Sequence, residues 1–108
     1  KLGEYDFSGK SVLDIGCYRG ANASYLKQNF EGVSYLGMEG DPEAVKQVYP
    51  EVDELYETDL DKADFSFLEG RRIDRVILGD VIEHLKEPDR FMSKLTGVLH
   101  SDTKVYVS

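Results

Sequence analysis

Five short apolar runs, with helix-patterned stretches between them, constrain the fold of this chain more than any other feature. "SVLDI" (11–15) runs directly into Gly16. "VSYLGMEG" (33–40), "ELYETDL" (54–60), "IDRVILGDV" (73–81) and "TKVYVS" (103–108) follow. Val33, Leu36 and Met38 in the second run, and the consecutive Val76, Ile77 and Leu78 in the fourth, suit strands covered on both faces. Between the runs, "ANASYLKQNF" (21–30) sets Ala23, Leu26 and Phe30 on one helical face. "DPEAVKQVY" (41–49) opens with a capping Asp41, a first-turn Pro42 and a dipole-compatible Glu43. "DKADFSFLEGRR" (61–72) is a polar connection with room for a helical turn carrying Phe65 and Leu68. "EPDRFMSKLTGVLH" (87–100) spaces Phe91, Leu95 and Val98 or Leu99 by three and four. Alternating strands and helices pair in parallel through right-handed crossovers. The expectation is a doubly wound, Rossmann-like α/β sheet with five strands in the order 3-2-1-4-5.

The length of 108 residues fits one domain, taken as 1–108. A formal net charge of -8 argues against a broad phosphate-binding face, so no nucleic-acid partner is expected. Cys17 is the only cysteine, which excludes an intrachain disulfide. No apolar run approaches the ~18 residues of a membrane span, and no signal peptide opens the chain, so a cytoplasmic protein is expected. The fifth run would form an apolar sheet edge able to associate, with a homodimer as one option.

In such sheets, ligands bind beyond the carboxyl ends of the strands. The residues at those ends are informative: Asp14 to Gly20, Glu39, Asp59, and Gly79 to His84. The dinucleotide fingerprint G-x-G-x-x-G fails, because Tyr18 and Ala21 stand where glycines belong. Asp14 at the mouth of the turn would oppose a diphosphate but suits a cationic group. S-adenosylmethionine carries an ammonium, a sulfonium, a ribose and an adenine, and no phosphate. Glu39 can accept from both ribose hydroxyls, and Asp59 from the adenine amino group, with the Leu60 N–H donating to a ring nitrogen.

"VLDIGCYRG", "YLGMEGDPEA", "YETDL" and "RVILGDVIEHLKEPDRFMSKLTGVLH" together resemble the class I S-adenosylmethionine-dependent methyltransferases, particularly the small bacterial type with a "VLDIGCGxG" first motif and a D-x-x-E-H-L-x-x-P motif. The resemblance runs from about Lys10 to Ser108. It implies that Asp14, Gly16, Gly20, Glu39, Asp59 and Leu60 contact the cofactor and that Asp80 lies near its methionine end. Cys17, Tyr18, Gly40 and Gly79 share those turns and complete the expected cofactor-lining set. Tyr18 replaces the family's middle glycine, where it would either cover the methionine moiety or point outward. The family sheet has seven strands, the last pair antiparallel. That pair is missing from the five runs here, so the resemblance implies the N-terminal part of a larger domain.

The implied activity is methyl transfer from S-adenosylmethionine to a small-molecule acceptor. A non-catalytic domain of the same fold and an NAD-binding Rossmann domain are the alternatives. Asp80 and His84 are the candidate catalytic residues, His84 as a general base. On a helix beginning here, Asp80, Glu83 and His84 would share one face, a set able to hold a metal. The simpler expectation has no metal, with Glu83 and His84 anchoring the helix start. Cys17 fills the turn rather than acting as a nucleophile, and His100 closes its helix.

Overall fold

The computed structural model describes residues 6–107. Its elements run β1 (Ser11–Ile15), α1 (Ala21–Asn29), β2 (Ser34–Glu39), α2 (Pro42–Lys46), β3 (Glu54–Glu57), β4 (Arg75–Leu78), α3 (Pro88–Thr96) and β5 (Lys104–Val107). Single 3-10 turns occupy Leu60–Lys62, Ser66–Leu68 and Ile82–His84. The five strands form one sheet in the order β3-β2-β1-β4-β5, and every neighbouring pair is parallel. This is the expected order and class. Ser108, the last residue of the expected fifth strand, lies outside the described residues. Among those described, no helix is long and apolar enough to cross a membrane.

Successive strand residues point to opposite faces, and the core divides accordingly. Leu13, Ile15, Leu36, Met38, Val76 and Leu78 pack on Phe65, Leu68, Phe91 and Leu95. Val12, Tyr35 and Ile77 pack on Phe7, Ala23 and Leu26. Phe65 and Phe91 meet edge-on at 5.2 Å, joining the 61–72 connection to α3. Each such side chain, taken fully out of water, contributes roughly 1.5–3 kcal/mol. β1, β2 and β4 are buried on both faces, whereas β3, at the sheet edge, is mostly exposed.

Several elements are shorter than their sequence patterns. α2 stops at Lys46 rather than reaching Tyr49. Tyr49 precedes Pro50, which disfavours helical backbone there. The Tyr49 N–H instead donates to the Arg19 carbonyl at 2.9 Å. α3 ends at Thr96, and Val98 and Leu99 pack on the core from the following turn. No α-helix begins at Asp80. That residue has φ +55°, Val81 is buried, and one 3-10 turn precedes Leu85 in extended backbone. The helix starts only at Pro88, whose preceding residue, Glu87, is non-helical.

Candidate functional site at the carboxyl strand ends

The turn after β1 is shaped by two glycines in left-handed conformation, Gly16 at φ +73° and Gly20 at φ +85°. Neither has room for a side chain. A Cβ on Gly16 would stand 2.4 Å from Val81 Cγ2, and one on Gly20 2.3 Å from Val52 Cγ2. Val81 follows β4 and Val52 precedes β3, so neighbouring crossovers close on the turn from both sides. Tyr18, between the glycines, is itself left-handed at φ +55°, and its ring is 58% exposed. The ring is therefore not packed against the core. Cys17 points inward. Its sulfur would lie 2.7 Å from a Cβ on Gly37, so the bare backbone of β2 makes its seat. Burial pushes its thiol up to about 12, helped by the charges of Asp14 and Glu39, which removes it as a nucleophile.

Glu39 ends β2 and braces the turn. Its Oε1 accepts from the Tyr18 N–H at 2.6 Å, and its Oε2 accepts from the Asp41 N–H at 3.0 Å. Asp41 in turn caps α2 through the Glu43 N–H at 3.0 Å. Gly40 lies against the next crossover, where a Cβ would meet the Thr58 carbonyl oxygen at 2.8 Å. Asp59 stands two residues beyond the end of β3. Its exposed carboxylate caps the 60–62 turn by accepting from the Asp61 N–H at 3.0 Å. Leu60 is the first residue of that turn and packs against the core. Gly79 and Asp80 follow β4 directly, and Asp80 is exposed.

Asp14 differs from the other acids. It is 2% exposed, on the face of the sheet that carries Val12 of β1 and Tyr35 of β2. Its Oδ2 accepts from Asn22 Nδ2 at 3.1 Å and from the Tyr35 hydroxyl. Burial raises its carboxyl to about 6, against the pull of those two donors, and the Glu39 charge adds to the rise.

Asp80, Glu83 and His84 do not share a helical face. His84 Nε2 lies 3.9 Å from Glu83 Oε1, with both side chains mostly exposed. Among the described residues, no three His, Cys, Asp or Glu side chains are gathered so as to hold a metal ion. His100 follows α3, and its N–H donates to Thr103 Oγ1 at 3.2 Å. The sequence pattern gave no sign of Tyr35, Asn22, Val52 or Val81 as parts of this site. Each is an ordinary strand, helix or loop residue by spacing, and only the packing brings it to the turn.

A cavity of about 360 Å³ lies at the opposite, amino end of the sheet, lined in part by Ser11, Ser34, Asp53 and Arg71. Arg71 is paired with Glu54 there, and Arg72 with Asp74 and Asp102. Parallel sheets present their ligand sites at the carboxyl ends, where the glycine turn and the strand-end acids converge.

Residues 1–108 match the family model described as a methyltransferase domain. The chain belongs to the methyltransferase-domain family. Its fold is that of the class I S-adenosylmethionine-dependent enzymes. Among curated relatives, it is 28% identical over 102 residues to the probable (S)-tetrahydroprotoberberine N-methyltransferase 2 of Papaver bracteatum, covering 92% of this chain and 28% of that protein. Among solved structures, the N-terminal domain of EvdMO1 with SAH bound is 25% identical at TM-score 0.74, over 91% of this chain and 42% of that one. Coclaurine N-methyltransferase bound to N-methylheliamine and SAH shares the fold at TM-score 0.77 and 18% identity, over 93% and 30%. The chain thus spans less than a third of the length of the curated relatives it matches.

Proposed function

We propose that this methyltransferase domain binds S-adenosylmethionine across the carboxyl ends of β1, β2 and β3 and transfers its methyl group to a small-molecule acceptor. The observation that carries this reading is the set of acids around a glycine turn: Asp14 beneath it, Glu39 bracing it, Asp59 beyond the next strand. The donor set fits the cofactor's chemistry. Carboxylates accept from an ammonium, from ribose hydroxyls and from an adenine amino group. A diphosphate would instead need free backbone N–H groups at the turn with no carboxylate beside them, and here Glu39 already occupies the Tyr18 N–H. The turn's cation, Arg19, faces away, with Nε donating to the Gln47 carbonyl at 3.2 Å and its guanidinium 4.9 Å from the Tyr49 ring centroid. That disfavours NAD.

S-adenosylmethionine supplies the electrophilic methyl on its sulfonium. The chain's part is to bind, align and exclude water, for which no protein nucleophile is required. Gly16, Cys17, Gly20, Gly40, Leu60 and Gly79 form the backbone cradle, and Tyr18 lies at its open side. Asp80 and His84, after β4, are assigned to the acceptor side. A basic amine is the favoured acceptor class: the Papaver bracteatum relative and a second, from Eschscholzia californica, carry the name N-methyltransferase, and Asp80 and Glu83 are exposed acids beside the switch point.

Calorimetric titration of the intact protein with S-adenosylhomocysteine and with NAD tests the cofactor. Binding of the first and not the second is expected, and the reverse would overturn the assignment. Transfer of labelled methyl to a panel of amine, hydroxyl and carbon acceptors tests the reaction. Saturable cofactor binding with no turnover on any acceptor would favour a non-catalytic binding domain.

A further inference from the structure

Asp14 sits in the register position opposite Gly37 of β2, so no side chain from that strand stands directly beside it. Tyr35, two residues earlier on the same face, reaches forward instead. Its ring is 1% exposed, in the cluster with Val12, Ala23 and Leu26, and its hydroxyl donates to Asp14 Oδ2. From the other side, the second residue of α1, Asn22, donates to the same oxygen. Both donors therefore converge on Oδ2, and no hydrogen bond from the described residues reaches Oδ1. A buried tyrosine hydroxyl spent on a carboxylate costs desolvation on both partners. A phenylalanine would serve the packing equally well.

We propose that Tyr35 is a positioning residue for the cofactor site: its hydroxyl, with the Asn22 amide, ties down one oxygen of Asp14 and presents the other as an anion to the ammonium end of S-adenosylmethionine. This rests on the cofactor reading given above. The groups facing Asp14 are few. β2 contributes the Tyr35 hydroxyl and, at its end, the Glu39 charge. The turn contributes the Cys17 thiol, and α1 the neutral Asn22 amide. β4 contributes apolar Ile77 in register. Burial and Glu39 oppose ionisation, and the two donors favour it, leaving Asp14 at about 6. Without the Tyr35 hydroxyl, ionisation is harder and cofactor binding shifts to higher pH.

The test is calorimetric titration of S-adenosylhomocysteine into the intact protein from pH 5 to 8.5, for wild type, Tyr35→Phe and Asp14→Asn. Wild-type affinity should rise with pH, pass its midpoint at about 6 and level off well above it. In Tyr35→Phe the break should move up by about one pH unit, making binding about fivefold weaker at pH 6 and equal to wild type at pH 8.5. Asp14→Asn should bind weakly and without that break. A Tyr35→Phe profile with the wild-type midpoint, or weakened equally at every pH, would overturn the proposal and leave the hydroxyl a packing element. A flat wild-type profile, or an Asp14→Asn variant that binds like wild type, would overturn the assignment of Asp14 to the ammonium. Absence of wild-type binding would overturn the cofactor reading itself. If Tyr35→Phe does not fold, Asn22→Ala removes the other donor, and an unmoved midpoint there would equally overturn the proposal.

Discussion

The Tyr18 backbone N–H donates to Glu39 Oε1 at 2.6 Å, which ties the glycine turn after β1 to the end of β2. The same carboxylate holds the Asp41 N–H on its other oxygen. One side chain thus fixes the distance between two strand ends, and its remaining lone pairs are open to a diol. Glu39→Ala should weaken S-adenosylhomocysteine binding by roughly 1.5–3 kcal/mol, through loss of charge-assisted bonds. Unchanged affinity in a variant that melts like wild type would remove Glu39 from the ribose site.

Gly20→Ala should destabilise the domain by about 2–4 kcal/mol, combining left-handed strain with overpacking. Its Cβ would stand 2.3 Å from Val52 Cγ2 at φ +85°. In denaturant titrations, Gly20→Ala combined with Val52→Ala should lose less than the sum of the single variants. Strict additivity would show that the valine does not confine the turn.

Asp14 makes stability depend on pH in a definite direction. Its carboxyl stands at about 6 in the folded chain against an ordinary 3.8, so the folded state holds its proton more tightly. The stabilisation this gives is full below pH ~4 and is lost as pH rises through about 6. Asp14→Asn, which stays neutral, should therefore gain on wild type between those limits, by up to ~3 kcal/mol. Chemical unfolding of both proteins at pH 4, 5, 6 and 7 measures the difference. A constant gap would contradict burial as the dominant influence on this carboxyl.

His84→Ala should reduce turnover by less than about fivefold and leave cofactor affinity unchanged, because the imidazole is exposed and, among the described residues, lies near Glu83 alone. Methyl transfer to a good nucleophile depends on placement more than on proton removal. A loss of ~10²-fold with an unaltered melting temperature would instead make His84 the general base. Chelators should leave the wild-type rate unaffected; inhibition reversed by added divalent ions would point to a metal held by Asp80, Glu83 and His84.

The five strands and their order were legible because β-branched runs covered on both faces admit few alternatives to a parallel sheet. The glycine turn and the acid at the end of β2 were legible for a related reason: both lie at fixed offsets from strand ends. The length of α2 was not, since its pattern continues to Tyr49 and only Pro50 and the bond to Arg19 stop it. The single face supposed for Asp80, Glu83 and His84 failed because a left-handed Asp80 and a buried Val81 break the helix that the spacing assumes.

The sequence by itself determined the α/β alternation, the parallel order and the strand-end positions of Asp14, Glu39 and Asp59, because local periodicity and turn chemistry act within a few residues of each. Only the tertiary structure decided which of these acids is buried. Asp14 lies under Tyr35 and Asn22, 21 and 8 residues away along the chain, while Asp59 stays in solvent. Burial depends on which side chains the crossovers bring overhead, and contacts made across the sheet leave no periodic trace in the chain.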